Sequence, residues 1–201
     1  MIDSPTDKRV LRTKKCIQDT FISLLMTQDV KKITVKQLAD AAGINRKTFY
    51  TYYDNIEDLF LQLQNSLVNK LAAEFRKFDL TSPDFSSLAL FDSLQKVVSE
   101  DMTLYRRLNQ LHAIPHMEIL LKNIIVNIFN EHYENSFGLD CAEYALYVEY
   151  FISGILSMYI KWLNDDSGIS LEQMSKMASN VVLSGFAPIL EKLICETEAG
   201  F

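Results

Sequence analysis

Four polar side chains between residues 46 and 51 have the spacing of one face of a short helix. They are Arg46, Lys47, Tyr50 and Thr51, at positions i, i+1, i+4 and i+5. Arginine and lysine donate hydrogen bonds to guanine O6 and N7, threonine meets a base edge through its hydroxyl or methyl group, and tyrosine reaches a base edge or a phosphate. Phe49 and Tyr53 fall on the opposite side, where they would anchor the helix to a core. The polar face is therefore a candidate for contacting base pairs in a major groove.

Three further side chains are candidates for contacting the phosphate backbone of the same duplex. Thr34, Asn45 and Thr48 lie at predicted helix N-termini, where backbone N–H groups and the helix dipole favour phosphate oxygens. Lys36 would flank them with a positive charge. The segment thus combines groups that specify a sequence with groups that hold the backbone.

The residues around this face predict two short helices joined by a tight turn, with a third helix after them. The capping residues are Thr34 with Gln37, then Gly43, then Asn45, then Asn55 with Asp58. Threonine and asparagine side chains accept hydrogen bonds from the first free N–H groups of a helix. Gly43 supplies the left-handed residue that ends the first helix. The second helix is expected at residues 46–53.

Charge along the chain decides between two interpretations of this passage. A helical hairpin inside an all-α domain would show the same caps without binding DNA. The net charge is −6, but residues 8–53 contain ten basic residues and three acidic ones, so this segment carries +7 and the remainder −13. A phosphate-binding surface is therefore expected only in the basic segment. A helical protein-interaction module without DNA binding, the alternative function, would leave that segment unexplained.

One passage closely resembles the DNA-binding signature of the TetR family. It comprises residues 33–50 (ITVKQLADAAGINRKTFY), Tyr52-Tyr53 and Glu57-Asp58-Leu59-Phe60, and the resemblance covers about residues 8–60. The resemblance implies that the polar face enters the major groove and that Tyr52 joins the backbone-holding residues. The position of Lys36 also contacts DNA in some members. The family usually has a lysine where this chain has Ile56, so one expected phosphate contact is missing.

Apolar residues recur at helical spacing through the chain, and strand-like alternation is absent, so we expect an all-α protein. The resemblance implies a three-helix DNA-binding domain with a helix-turn-helix at residues 1–60 and a connecting helix from about 55 to 78. It also implies a C-terminal helical domain for dimerisation and effector binding at residues 79–201. Long helices of that domain are expected at 88–109, 115–135, 141–164 and 171–193.

The C-terminal region carries no motif of its own, and its roles follow from the family resemblance. The helices at 141–164 and 171–193 are expected to pair with their symmetry copies in a homodimer. A pocket for a small, largely apolar effector is expected between the connecting helix and residues 88–135. Its candidate lining residues are Tyr105, His112, Met117, Tyr147, Phe151 and Trp162. Arg106 and Arg107 are the first candidates to bind an anionic effector.

Motifs for other classes of function are missing from the sequence. It contains no GxSxG, P-loop, GxGxxG or HExxH motif, so we expect no enzyme. His112 and His116 have the i, i+4 spacing of a metal pair, but Pro115 disfavours helical geometry at Ile114, and neither a metal nor a cofactor is expected.

Three widely separated cysteines are expected to be reduced thiols. A polar N-terminal segment and the short apolar runs predict a cytoplasmic protein without a membrane span.

The sequence therefore predicts a dimeric transcriptional regulator. We expect a repressor that an unknown small-molecule effector releases from a pseudo-palindromic double-stranded DNA operator. A regulator that activates transcription stays open, because the sign of regulation depends on where the operator lies in a promoter.

Overall fold

The computed structural model describes residues 5–78, 86–137, 142–164 and 168–186, and the structural statements below concern these residues. They form nine α-helices and no strand, which confirms the all-α prediction. The helices are α1 (Pro5–Leu25), α2 (Val35–Ala42), α3 (Arg46–Tyr50), α4 (Ile56–Phe75), α5 (Ser87–Glu100), α6 (Met102–Gln110), α7 (Ile114–Phe137), α8 (Ala142–Asn164) and α9 (Leu171–Val181). A 3₁₀ turn (Val30–Lys32) precedes α2, and a π-helical turn (Val182–Phe186) follows α9.

The chain divides into two compact units, Met1–Leu67 and Val68–Phe201, and the division falls within α4. The domain limits expected at residues 60 and 79 remain a prediction. Across the described ranges, none of the helices has the length and apolar character needed to cross a membrane.

The first unit is built around the apolar face of α1. Ile17, Phe21 and Leu25 recur at i, i+4 and i+8, and all three side chains are fully buried, as their spacing predicts. The Phe21 ring meets Phe60 of α4 edge to face, with the ring centres 6.1 Å apart. Leu38 of α2 is buried in the same unit. These contacts hold α1 and α2 as a platform for the short helix α3.

The second unit begins with the end of α4 and includes a break that the sequence did not predict. The helix expected at 88–109 is two helices, α5 and α6, which meet at Asp101 with φ −117° and ψ 20°. The Asp101 carboxylate accepts a hydrogen bond from Lys70 Nζ of α4 at 2.8 Å. Aspartate is a poor residue for a helix interior, and here its side chain pairs with another helix. The single-helix prediction for this segment is therefore wrong.

The helix α7 begins one residue earlier than expected. Ile114 is its first residue, so the expectation that Pro115 would keep Ile114 out of helical geometry is wrong. Proline is tolerated in the first turn of a helix because no intrahelical acceptor is available for an N–H group there. His112 precedes the helix in a left-handed conformation with φ 55°. The two histidines therefore lie in different local structures.

The helices α5 and α9 pack together and form the core of the second unit with α8. Leu90, Phe91 and Leu94 of α5 are buried against Ala178 of α9. Ser170 and Gln173 form a complete capping box at the start of α9. The helix expected at 171–193 changes to the π-helical turn after Val181, and its predicted end lies outside the described residues.

Candidate DNA-binding surface and effector cavity

The turn between α2 and α3 is defined by hydrogen bonds within a few residues of chain. The Thr34 hydroxyl accepts from the N–H of Gln37 at 3.1 Å, which is the Thr34 half of the predicted capping box. Gly43 has φ 64° and ψ 32°, and the N–H of the following Ile44 donates to Ala39 O at 3.0 Å. This arrangement is a glycine C-cap of the expected kind. The predicted helix-turn-helix is confirmed at this turn.

The helix α3 starts as predicted and ends earlier. The Asn45 side chain accepts from the N–H of Lys47 at 2.8 Å, so Asn45 is the N-cap. The helix ends at Tyr50 instead of residue 53. The N–H groups of Tyr52 and Tyr53 both donate to Phe49 O, at 2.9 and 3.1 Å, so the chain tightens into a turn after the helix.

The polar face of α3 is exposed and its apolar face is buried. The side chains of Arg46, Lys47, Tyr50 and Thr51 are exposed, with 57% of Tyr50 accessible. Phe49 and Tyr53 are buried, and their ring centres lie 5.6 Å apart. The Thr51 hydroxyl donates to Lys47 O at 3.0 Å, which leaves its oxygen lone pairs and methyl group available. The side chains proposed for base contact thus share one solvent-facing surface.

The side chains expected to hold the DNA backbone differ in exposure. Thr34, Lys36 and Asn45 are exposed, whereas Thr48 and Tyr52 are half-buried. The Lys14 ammonium group of α1 lies over the Tyr52 ring, 5.7 Å from its centre. Lys14 was not among the predicted contact residues, although its place in the basic segment was a signal for it. Ile56, at the family's usual lysine position, is buried and contributes to the core of the first unit.

The second unit contains an apolar cavity of about 120 Å³. It is lined by side chains from α5, α6, α7 and α8 and from the last part of α4, where Val68, Leu71 and Phe75 follow one another at helical spacing. Three of the six predicted lining residues, Tyr105, Met117 and Trp162, line this cavity. Phe75 and Phe91 also line the cavity and were not among the predicted lining residues, although their large apolar side chains at helical spacing were the available signal.

The other three predicted lining residues lie outside this cavity. His112 is exposed in the turn before α7, and 37% of Tyr147 is accessible. Phe151 is half-buried and packs against Gly185, where a Cβ atom would lie 2.8 Å from the Phe151 ring. The side of α8 that faces the cavity carries Ile155 and Tyr159 instead.

Hydrogen bonds around the cavity leave one phenol without a partner. Trp162 Nε1 donates to Ile169 O at 2.7 Å, and Tyr159 Oη lies 3.3 Å from Ser175 Oγ. Tyr105 Oη is buried and has no hydrogen-bond partner in the described part of the chain. Burial and, to a lesser extent, the Asp101 charge raise the pKa of Tyr105 above its usual range. Burial also raises the pKa of Tyr159, so both phenols keep their protons at neutral pH.

The described ranges hold no group of three histidine, cysteine, aspartate or glutamate side chains that could bind a metal ion. His116 is exposed in the first turn of α7, and His112 lies outside that helix. The i, i+4 spacing of the two histidines therefore does not place them on one helical face.

A helix-turn-helix with an exposed polar helix, joined in sequence to an all-helical unit, defines a helix-turn-helix transcriptional regulator. The family model described as bacterial regulatory proteins of the tetR family matches residues 19–63, and that described as the transcriptional regulator C-terminal region matches residues 86–184. The chain belongs to the TetR family of transcriptional regulators, whose members are DNA-binding proteins and not enzymes.

Similar proteins include a relative known from sequence and several solved structures. An uncharacterised HTH-type transcriptional regulator of Bacillus subtilis (strain 168), YxbF, is 27% identical over 157 residues. The match covers 75% of this chain but only 40% of the length of that curated relative. The dihydroxyacetone kinase operon activator DhaS has a similar fold, with a TM-score of 0.62, 19% identity and coverage of 86% of this chain and 94% of its own.

Two further structures share the fold. A TetR transcriptional regulator from Streptococcus agalactiae has a TM-score of 0.61 and 21% identity, with coverage of 88% of this chain and 97% of its own. Thermus thermophilus FadR, a TetR-family repressor in complex with lauroyl-CoA, has a TM-score of 0.53 and 18% identity, with coverage of 86% and 94%.

Proposed function

We propose that this regulator is a homodimeric repressor that a small-molecule effector releases from a pseudo-palindromic DNA operator. The observation that carries the proposal is the division of α3 into an exposed polar face and a buried aromatic face. A helix anchored through Phe49 and Tyr53 presents its outer side chains in a fixed orientation, which base recognition requires.

The proposed contacts with DNA fall into two groups. Base edges are read by Arg46, Lys47, Tyr50 and Thr51, and the DNA backbone is held by Thr34, Lys36, Asn45, Thr48 and Tyr52. The N-termini of α2 and α3 and the positive charge of the first unit favour phosphate oxygens. The basic residues thus provide affinity that depends on salt, and the face of α3 provides sequence preference.

Exposed apolar side chains on α8 and α9 support the proposed homodimer. They are Leu146, Tyr147 and Tyr150 on α8, and Met177 and Val181 on α9. Soluble monomers rarely expose large apolar side chains at helical spacing on two neighbouring helices, and such surfaces mark association sites. Pairing α8 and α9 with their symmetry copies would cover these side chains in a four-helix seam.

The cavity supports the proposed release by an effector. An effector weakens DNA binding only if it binds better to a conformation that does not match the operator. Apolar cavities in helical domains are typical ligand sites. The FadR structure named above is a complex with lauroyl-CoA, so one protein of this fold binds a ligand that carries a long apolar acyl chain on a polar group. Repression is the favoured sign of regulation, and activation is the second candidate because DhaS is named as an operon activator.

The proposal is tested by selecting bound fragments from random duplex DNA. A two-fold dimer predicts inverted half-sites about one helical turn apart, or somewhat more. A duplex that keeps one half-site and scrambles the other is the matched control, and its affinity should fall strongly at fixed salt. Selected sequences without inverted symmetry, or equal affinity for the half-site control, would contradict a dimer on a pseudo-palindrome. Transcription from a promoter that carries the selected operator then distinguishes repression from activation.

A further inference from the structure

The first half of α1 extends beyond the core of the first unit. Residues 8–16, here called the α1 extension, include no buried side chain. Ile17, Phe21 and Leu25, which are buried, all follow the extension in the sequence. Most helices in proteins are stabilised by packing of an apolar face, and the extension buries little apolar surface. Its exposed side chains are therefore available to contact another molecule.

The α1 extension is strongly basic. It contains five basic side chains, Lys8, Arg9, Arg12, Lys14 and Lys15, and no acidic one. Arg9, Arg12 and Lys15 are exposed and follow one another at i, i+3 and i+6, so they share one side of the helix. None of these three forms an ion pair with a described residue. Like charges at this spacing repel each other, so an anionic partner would stabilise the extension.

The α1 extension lies beside the surface that we propose contacts DNA. The Lys14 ammonium group lies over the Tyr52 ring, and the Cys16 thiol donates to Ala42 O, with 3.6 Å between the sulfur and oxygen atoms. Tyr52 follows α3 and Ala42 ends α2, so the end of the extension contacts both sides of the helix-turn-helix. Because the buried residues lie further along α1, the turns before Lys14 extend past this motif.

We infer that the α1 extension binds phosphates of the operator in addition to those held by the residues around α2 and α3, with Arg9, Arg12 and Lys15 as the contacts. A guanidinium group binds a phosphate through paired N–H donors, and an ammonium group binds it as a point charge. Phosphate contacts carry no sequence information, so the extension adds affinity without sequence preference. This inference rests on the proposed function, because it enlarges the DNA-binding surface of the same regulator.

A double variant with a matched control tests the inference. Arg12→Gln with Lys15→Gln, the extension variant, removes one arginine and one lysine from the α1 extension. Arg76→Gln with Lys96→Gln, the control variant, removes the same two charges from exposed positions of the second unit. Fluorescence anisotropy measures the affinity of each protein for the selected operator and for a random duplex at several salt concentrations between about 50 and 200 mM.

The slope of the logarithm of affinity against the logarithm of salt concentration reports the number of phosphate contacts, at about 0.9 for each contact. Two lost contacts in each protomer of the proposed dimer make four, so the slope of the extension variant should become shallower by about 3 to 4. Its operator affinity should fall at least roughly tenfold at the lowest salt concentration, and the loss should shrink as salt rises. The control variant should keep the affinity and the slope of the parent.

The random duplex separates phosphate contacts from base contacts. The extension variant should lose affinity for both duplexes, and the ratio of operator to random affinity should stay within about threefold of the parent value. A slope equal to that of the parent would overturn the inference. An equal change of slope in the control variant would also overturn it, because net charge alone would then explain the effect.

A conservative variant shows that the effect depends on charge and not on a disturbed helix. Arg12→Lys with Lys15→Arg keeps both positive charges and should keep the slope of the parent. A slope as shallow as that of the extension variant would contradict the phosphate contacts. Circular dichroism of all three variants checks that the helical fold is retained.

The failure of this inference is distinguishable from the failure of the proposed function. If the parent binds a selected pseudo-palindromic operator and the extension variant keeps its slope, the proposed operator stands and the contacts of the α1 extension are wrong. If the selected sequences lack inverted symmetry but the extension variant still has a shallower slope for duplex binding, the contacts stand and the dimer on a pseudo-palindrome is wrong.

Discussion

The ammonium group of Lys14 lies over the ring of Tyr52, 5.7 Å from the ring centre. Lys14 belongs to α1, and Tyr52 follows α3 in the turn that leads to α4. A cation over an aromatic face at this distance is attracted by the ring quadrupole. The contact therefore connects the first helix to the turn behind the proposed recognition helix, and it helps to orient a tyrosine that we propose holds the DNA backbone.

This contact predicts an energetic coupling between the two side chains. In a double-mutant cycle, Lys14→Gln and Tyr52→Leu should couple by about 0.5–1 kcal/mol, the value of a partly exposed cation–π pair. Native-state hydrogen exchange of α1 and α3 amides in the full chain measures it. Lys15→Gln with Tyr52→Leu is the matched control, since Lys15 is the exposed neighbour. If the coupling energy of Lys15 with Tyr52 equals that of Lys14 with Tyr52, the loss of a positive charge explains both values and the cation–π contact is contradicted.

Gly43 is predicted to be needed for its backbone conformation and not for space. Its φ is 64°, and a Cβ atom there would meet no atom within 4 Å. Gly43→Ala should destabilise the first unit by about 1–2 kcal/mol, because residues with a Cβ disfavour the left-handed region. Gly43→Asn should cost less, because asparagine tolerates this region. Hydrogen exchange of α2 and α3 amides ranks the stability of the parent and the two variants. An alanine variant as stable as the parent would contradict the need for the left-handed conformation at this position.

The two cavity tyrosines predict opposite effects on stability. Tyr105→Phe removes a buried hydroxyl that has no partner, so the free energy of unfolding should stay unchanged or rise. Tyr159→Phe breaks the 3.3 Å hydrogen bond to Ser175, which is fully buried, and should lower that free energy by about 1 kcal/mol. Denaturant unfolding in the absence of ligand compares the two variants. A larger loss in Tyr105→Phe would mean that its hydroxyl is hydrogen-bonded in solution.

The proposed homodimer predicts that one exposed valine is sensitive to charge. Val181 of α9 is 41% exposed, so a glutamate there is accommodated easily in a monomer. In the proposed seam the charge would be desolvated, and Val181→Glu should raise the dimer dissociation constant by about 100-fold or more. Ile119→Glu is the control, since Ile119 is 56% exposed on α7. Sedimentation showing a monomeric parent, or equal effects of both substitutions, would defeat this assembly.

Caps and turns were predictable from the sequence because their hydrogen bonds join residues close along the chain. The bonds of Thr34 to Gln37 and Asn45 to Lys47 span three and two residues, so local sequence determines them. The break at Asp101 was not predictable in this way. Its carboxylate binds Lys70, 31 residues away in the sequence, and that contact depends on how α4 packs against the helices that follow it.

The candidate site likewise has a part that local sequence determines and a part that depends on packing between distant helices. The exposed face of α3 followed from helical spacing, because Phe49 and Tyr53 define a buried side unambiguously. The residues that line the cavity were harder to predict, because α8 is apolar on several faces. Periodicity alone does not show which of these faces lines the cavity. Phe151 and Tyr159 both fit an apolar stripe in the sequence. Packing places Phe151 against Gly185 and leaves Tyr159 to line the cavity.

The affinity of α3 variants for the selected operator tests the central claim most directly. Fluorescence anisotropy at one fixed salt concentration compares the parent with Lys47→Ala, Tyr50→Ala and Lys96→Ala, the last an exposed lysine of the second unit that serves as the charge-matched control. We predict that Lys47→Ala and Tyr50→Ala weaken operator binding roughly 10- to 100-fold, because each removes a contact to DNA, and that Lys96→Ala leaves it unchanged. Equal affinities for the parent and both α3 variants would contradict the assignment of α3 as the recognition helix.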